Sequence, residues 1–355
     1  MTQAEEFDSL VARIKDLDAS FLAKAQARQD SLIKPLGALG KLEDMAVRIA
    51  AMQQSLSPQL THAEIHCFAA DHGIAEEGVS AYPQEVSAQM IDGVAAGLAG
   101  VSNLAKSSGI EVRAYNAGLK TMPKHPSVIN HPIMLGTHNF LHEDALTKDA
   151  ALEAICFGAR EVKKAVFERK LDICGLGEVG IANTTSAAAL IVSLTGCSVE
   201  EATGRGTGLD DRGLAHKVAV IKQALKAREP YGKDGLDLLC HFGGLEIAAM
   251  VGTILGASAL QKPFVVDGQI SASALLIAHK ICPKVLNYCF VSHKSKEPGL
   301  MIALKHLGLK PYLDLDMRLG EGSGAALSIS IIKAACMAMS GMASFDEAQV
   351  SKRKS

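Results

Sequence analysis

Apolar positions along the chain follow two alternating rhythms. Short unbroken runs rich in Val, Ile and Leu occupy residues 65–70, 110–115, 171–176, 263–267 and 286–292. Between them, 86–106, 145–166, 182–194, 214–227, 245–260 and 271–281 read as longer helical segments. This alternation predicts an α/β fold, a mostly parallel sheet with helices on both faces. Strands that read as continuous apolar runs fit burial on both sides. The ends differ. Residues 5–55 read as helical, broken at Lys34-Pro35-Leu36-Gly37, and 325–342 read as one further apolar helix. The expected division is a small helical domain from 1–55 and 325–355 beside a large α/β domain, 56–324. The closing SKRKS is a short basic tail, expected to be solvated.

Composition narrows the function classes. With 48% hydrophobic and 21% charged residues, wholesale disorder is excluded. A net charge of −2 gives no global pull on nucleic acid or anionic lipid, so neither is an expected partner. Trp is absent and aromatics are 4%, which disfavours base-stacking platforms. The N-terminus lacks the basic and apolar regions of a secretory signal, and no uninterrupted apolar run suggests a membrane span. The eight cysteines include no CxxC pair and sit mostly in apolar runs. They read as small core residues of a cytoplasmic protein.

The chemistry lies in six Gly-rich or polar clusters, most of them after expected strands. Ligands of open parallel sheets bind at the carboxyl ends of strands, so these clusters converge on one crevice. Asp71-His72-Gly73 offers metal ligands or a catalytic pair, or else a cap and a structural histidine. His62 and His66 are spaced H-x-x-x-H, but His66 falls in an expected strand, unlike the helical HExxH site. Gly175–Thr185 runs from a strand into a small-residue helix. Gly177 and Gly180 let backbone amides approach an anion, the helix N-terminus adds a positive field, and Asn183, Thr184 and Thr185 add donors. The pattern resembles a phosphate cradle, or a tight strand–helix turn. Gly204, Gly206, Thr207 and Gly208 form a second Gly-rich wall, with Lys217 on the next helix as a point charge. Asp267 and Ser295 sit in two further strand-end clusters, where ligand binding and ordinary capping are both open. Glu321, between Gly320 and Gly322, is either a closely approached general base or a helix N-terminal acid. Burial beside Met317 and Leu319 would raise its pKa. No activated Ser or Cys motif and no metal-ligand set stands out, and no cofactor is expected.

Eight stretches in order carry a more specific signal. They are KPLGALGKLE (34–43), AADHGIAEEGVSAYPQEVSAQM (69–90), GLGEVGIANTTSAAAL (175–190), GRGTGLDD (204–211), GGLEIAAMVG (243–252), VVDGQISASALL (265–276), HKSKEPG (293–299) and LDMRLGEGSGAAL (315–327). Together they resemble the nicotinate-nucleotide–dimethylbenzimidazole phosphoribosyltransferases of cobalamin nucleotide-loop assembly, over nearly the whole chain. The resemblance implies a Rossmann-like sheet, a small helical domain from both chain ends, and a homodimer. It implies transfer of phosphoribose from nicotinate mononucleotide to 5,6-dimethylbenzimidazole, with inversion at C1′. Glu321 maps onto the family's base and Glu178 onto its auxiliary carboxylate. Ser80, Tyr82, Gln89, Met90 and Leu319 would line the benzimidazole pocket. The Gly177–Thr185 and Gly204–Gly208 loops, Lys217 and Ser295 would hold the phosphate.

Four positions depart from the family pattern: Leu36, Ala38, Asn116 and Ala182. Ala182 matters most, because a required positive φ or a close phosphate would disfavour any side chain there. Two other functions suit the same cradle: a nucleotide hydrolase and a non-catalytic nucleotide-binding regulator.

Overall fold

The computed structural model describes residues 2–230 and 232–351, so the tail 352–355 lies outside the described residues. One sheet contains β1 (Ala63–Ala70), β2 (Glu111–Gly118), β3 (Ile129–Asn130), β4 (Ile173–Val179), β5 (Phe264–Val266) and β6 (Cys289–Val291). Its order is β3-β2-β1-β4-β5-β6 and every pairing is parallel. The direction of winding reverses between β1 and β4. Loops leaving these two strands therefore diverge and open a crevice at their carboxyl ends.

Helices α1 (Gln3–Ala12), α2 (Ala19–Ser31) and α3 (Lys41–Gln53) precede the sheet. α4 (Glu85–Ala95) and α5 (Gly100–Lys106) join β1 to β2, and α6 (Lys148–Glu168) leads into β4. Between β4 and β5 lie α7 (Asn183–Thr195), α8 (Val199–Ala202), α9 (Asp211–Arg228), α10 (Gly235–Phe242) and α11 (Leu245–Ala259). α12 (Gln269–Ile281) joins β5 to β6, and α13 (Pro298–His306) and α14 (Ser323–Gly341) follow.

Every residue of β1 and β4 is buried, as their unbroken apolar runs predict. Alternation sends neighbouring side chains to opposite faces. On one face Phe68 stacks on Tyr115, with centroids 4.8 Å apart, and meets Phe157 of α6 edge-on. On the other, Ile65 and Gly175 lie against Ala325 and Ile329 of α14. α14 is long and apolar enough to cross a membrane by composition alone. Its buried positions instead pack on α3, α5 and β4.

The two chain ends meet. Ile33 donates its amide to the Ala343 carbonyl (3.0 Å), and Phe345 donates to Ser31 (3.0 Å). The KPLGALGKLE motif is the joint: Lys34 pairs with Glu43 at 2.9 Å in a buried bridge, and Glu43 also accepts the Leu39 amide. Leu36 and Ala38 are exposed in its turn, so neither departure disturbs the joint. α1 departs from the expected grouping. It packs on α6 and α11, where Arg160 binds Glu6, rather than beside α14.

Three other expectations need correction. The single helix expected over 86–106 is two, because Gly97 turns left-handed (φ +78) and ends α4. β2 runs three residues further than expected, to Gly118. β3 and α10 were not foreseen: β3 is two residues long, and α10 starts at a local Asp234 cap.

Candidate active site

Glu321 stands on a turn of three consecutive left-handed residues: Gly320 (φ +85), Glu321 (φ +64) and Gly322 (φ +93). A non-glycine residue is strained there, and such strain gathers at functional sites. Two contacts hold the turn. A side chain at Gly177 of β4 would fall 2.3 Å from the Glu321 carbonyl, so only glycine lets strand and turn come together. Asp267, just past β5, accepts the amides of Gly322 (3.2 Å) and Ala325 (2.9 Å) and so caps the start of α14. The Glu321 carboxylate accepts the Val101 amide at 3.2 Å, at the start of α5.

Glu178, the penultimate residue of β4, lies in the same crevice. Its Oε2 accepts from Asn183 Nδ2 at 2.5 Å, and Gly320 leaves room for its Oε1. Three buried carboxyls thus share one space, and all titrate high. Burial lifts Glu321 above the usual glutamate range, opposed by the amides of Val101 and Gly100. Burial lifts Glu178 well above the same range, opposed by Asn183 and reinforced by Glu246, Asp267 and Glu321. Burial pushes Asp267 up to about 7, against its amide bonds. Leu319 is itself 56% exposed, resting against Gly100, so it contributes less to the burial of Glu321 than expected.

The two Gly-rich stretches come together. Lys217, 1% exposed, donates from Nζ to Thr184 Oγ1 at 2.6 Å, beside Gly206. Burial lowers its pKa to about 8. Thr207 Oγ1 lies 3.3 Å from Ser80 Oγ and accepts the Ala81 amide, linking this wall to the loop that enters α4. Tyr82, Gln89 and Met90 are exposed along that same segment. Ser295 Oγ accepts the Glu297 amide. Gly204 and Gly208 flank the second wall, and Gly180 packs under the first against the Ala70 carbonyl. Thr185 is fully buried with no hydrogen-bond partner among the described residues, so its hydroxyl does not face the crevice surface as expected.

The remaining candidates resolve into structure. His72 is fully buried, 2.9 Å from Ser186 Oγ and 2.6 Å from Glu246 Oε1. Asp71 accepts the Lys120 amide. His66 bonds Glu64 within β1. Asn116 ties β2 to Asn130 of β3 and accepts the Leu119 amide, keeping a hydrogen-bonding role. No set of three metal-ligating side chains occurs among the described residues. Sequence reasoning missed Glu246, Glu297 and the Gly100–Val101 amides. The first two lie inside quoted motifs, GGLEIAAMVG and HKSKEPG, but no local pattern marks a backbone amide as a partner of a distant carboxylate.

Residues 14–350 match the model of one family, described as phosphoribosyltransferase. The chain belongs to that phosphoribosyltransferase family. It is an enzyme, a pentosyltransferase. Among its relatives in the phosphoribosyltransferase family, nicotinate-nucleotide–dimethylbenzimidazole phosphoribosyltransferase of Chloroflexus aggregans is 44% identical, covering 97% of this chain and 98% of its own. The enzyme of the same name from Geobacter sp. strain M21 is 44% identical over 98% of this chain and 99% of its own. The crystal structure of that enzyme from Thermus thermophilus superposes with a TM-score of 0.89 at 36% identity, over 95% of this chain and all of that one.

Proposed function

We propose that this phosphoribosyltransferase moves the phosphoribosyl group of nicotinate mononucleotide to 5,6-dimethylbenzimidazole, giving α-ribazole 5′-phosphate and nicotinate. The observation that carries the reading is Glu321: a carboxylate with a raised pKa, held by the Val101 amide on a strained turn that packs against Gly177 and Glu178 of β4.

The chemistry needs little else. Nicotinate in the mononucleotide is a pyridinium, so the electron pair of the broken C1′–N bond returns to a ring nitrogen that becomes neutral. The leaving group needs no proton. A benzimidazole nitrogen attacks C1′ from the opposite face, which inverts the anomeric centre. Its second nitrogen then carries a proton that must go to a base, and Glu321 takes it. Glu178, held by Asn183, would offset positive charge on the ribose in the transition state when ionised. Thr184, the 204–208 loop, Lys217 and Ser295 would hold the phosphate. Ser80, Tyr82, Gln89, Met90 and Leu319 would bound the flat base. Asp267 is better read as a positioning residue, since both of its oxygens serve the turn that carries Glu321. We further propose that the enzyme acts as a homodimer in the cytoplasm. Sedimentation at micromolar concentration tests the dimer.

Chromatography of a reaction with both substrates tests the function. Equal amounts of new ribotide and nicotinate are expected. Nicotinate without ribotide would instead mean hydrolysis.

A further inference from the structure

Glu297 places a carboxylate inside the phosphate cradle. It stands one residue before α13, and its Oε1 accepts the Gly206 amide at 3.1 Å. A side chain at Gly204 would lie 1.9 Å from its Oε2, so the carboxylate rests flush on the Gly-rich wall. That Oε2 is buried and has no hydrogen-bond partner among the described residues. The charge is also felt by Lys217, whose ammonium form Glu297 favours. Capping does not explain the arrangement, because the Glu297 side chain makes no bond to the amides of α13.

Three donors around the cradle are therefore already engaged. Lys217 is given to Thr184, the Gly206 amide to Glu297, and the Glu297 amide to Ser295. An anion approaching Gly206 meets a resident anion on the same amide. We propose that Glu297 is an internal competitor for the cradle: its carboxylate holds the 204–208 loop closed, and the nucleotide phosphate must displace it. The inference rests on the reading of this cradle as the phosphate site. In consequence the enzyme binds its mononucleotide less tightly than its donors permit, which favours release of the phosphorylated product. A resident carboxylate also repels a second phosphate group, so the site selects nucleotides carrying one.

Glu297→Gln tests this, because the amide oxygen can still accept from Gly206 while the charge is gone. Calorimetric titration would compare nicotinate mononucleotide, inorganic phosphate and nicotinate riboside on the full-length wild type and variant. The expected result is a Kd for the mononucleotide and for phosphate about tenfold lower in the variant, ~1.4 kcal/mol, with the riboside unchanged. Mononucleotide affinity equal to or weaker than wild type would overturn the proposal. So would an equal tightening of the riboside, which would mean a general change in the pocket. If neither protein binds the mononucleotide, the reading of the cradle fails, and the proposal with it. Should the glutamine variant not fold, Glu297→Asp, which withdraws the charge by one methylene, is expected to tighten binding by a smaller factor; no tightening would overturn the proposal.

Discussion

At the scale of single residues, Glu321 shows what sequence can and cannot disclose. Its two flanking glycines mark a turn that a ligand can approach, and LGEGSG stands out within the chain. The left-handed turn itself depends on Asp267, Gly177 and Val101, which lie 54, 144 and 220 positions away along the chain. The raised pKa has a direct consequence. As the base proposed above, Glu321 must be ionised to accept the benzimidazole proton, so activity is expected to fall as pH drops through its pKa, which lies above 4.5. A pH profile of kcat/KM is expected to bend downward on the acid side, with its midpoint above that value. Ala182 is the second informative residue. It adopts φ +75 at the start of α7, a conformation that glycine reaches without strain. Ala182→Gly is expected to raise stability by roughly 1 kcal/mol, the usual strain of a left-handed residue, read as a higher melting temperature.

At the scale of elements, the helices and strands were legible because their apolar rhythms differ. The short pieces were not. β3 has only two residues, too few for any period to show. The break between α4 and α5 rests on one left-handed glycine, Gly97, while Gly93 sits inside α4, so glycine alone does not mark a break. The meeting of β4 with the Glu321 turn is likewise a three-dimensional fact. It yields a sharp expectation. Gly177→Ala places a methyl group 2.3 Å from the Glu321 carbonyl, and nothing there can yield except the turn itself. The variant is expected to lose about 1–3 kcal/mol of stability, with a fall in kcat that exceeds any change in mononucleotide affinity. Parallel losses of kcat and of binding would mean that the turn does not position the base.

At the scale of the whole molecule, the order β3-β2-β1-β4-β5-β6 explains why distant motifs converge. Asp71 follows β1, Glu178 is next to last in β4, Asp267 follows β5 and Ser295 follows β6, and parallel pairing brings these carboxyl ends to one edge. Alternating apolar runs foretold the parallel sheet. They did not foretell that α1 lies on α6 and α11, because an amphipathic helix does not name its partner. The opposite end of the sheet is held by Glu64 of β1, which binds Arg169 at 2.6 and 3.0 Å and His66 at 2.9 Å. Burial works against its charge, yet His66 and Arg169 together bring its pKa down to about 2. A depressed carboxylate stabilises the fold above its unfolded pKa, so this contribution is lost as pH falls from about 4.5 toward 2. Arg169→Met leaves the buried carboxylate short of a partner. It is expected to lower stability by about 3 kcal/mol and to weaken resistance to acid, as seen by urea unfolding at two pH values.

The central claim is that Glu321 removes the proton from the attacking benzimidazole. The most direct measurement compares wild type and Glu321→Gln, each with nicotinate mononucleotide and 5,6-dimethylbenzimidazole, by chromatography of ribotide and nicotinate. Binding of the mononucleotide is measured on both samples. The account predicts equal affinity, ribotide matched to nicotinate in the wild type, and a rate about 10²–10⁴-fold lower in the variant, the usual contribution of a general base. Ribotide formed at a comparable rate by the glutamine variant would contradict it.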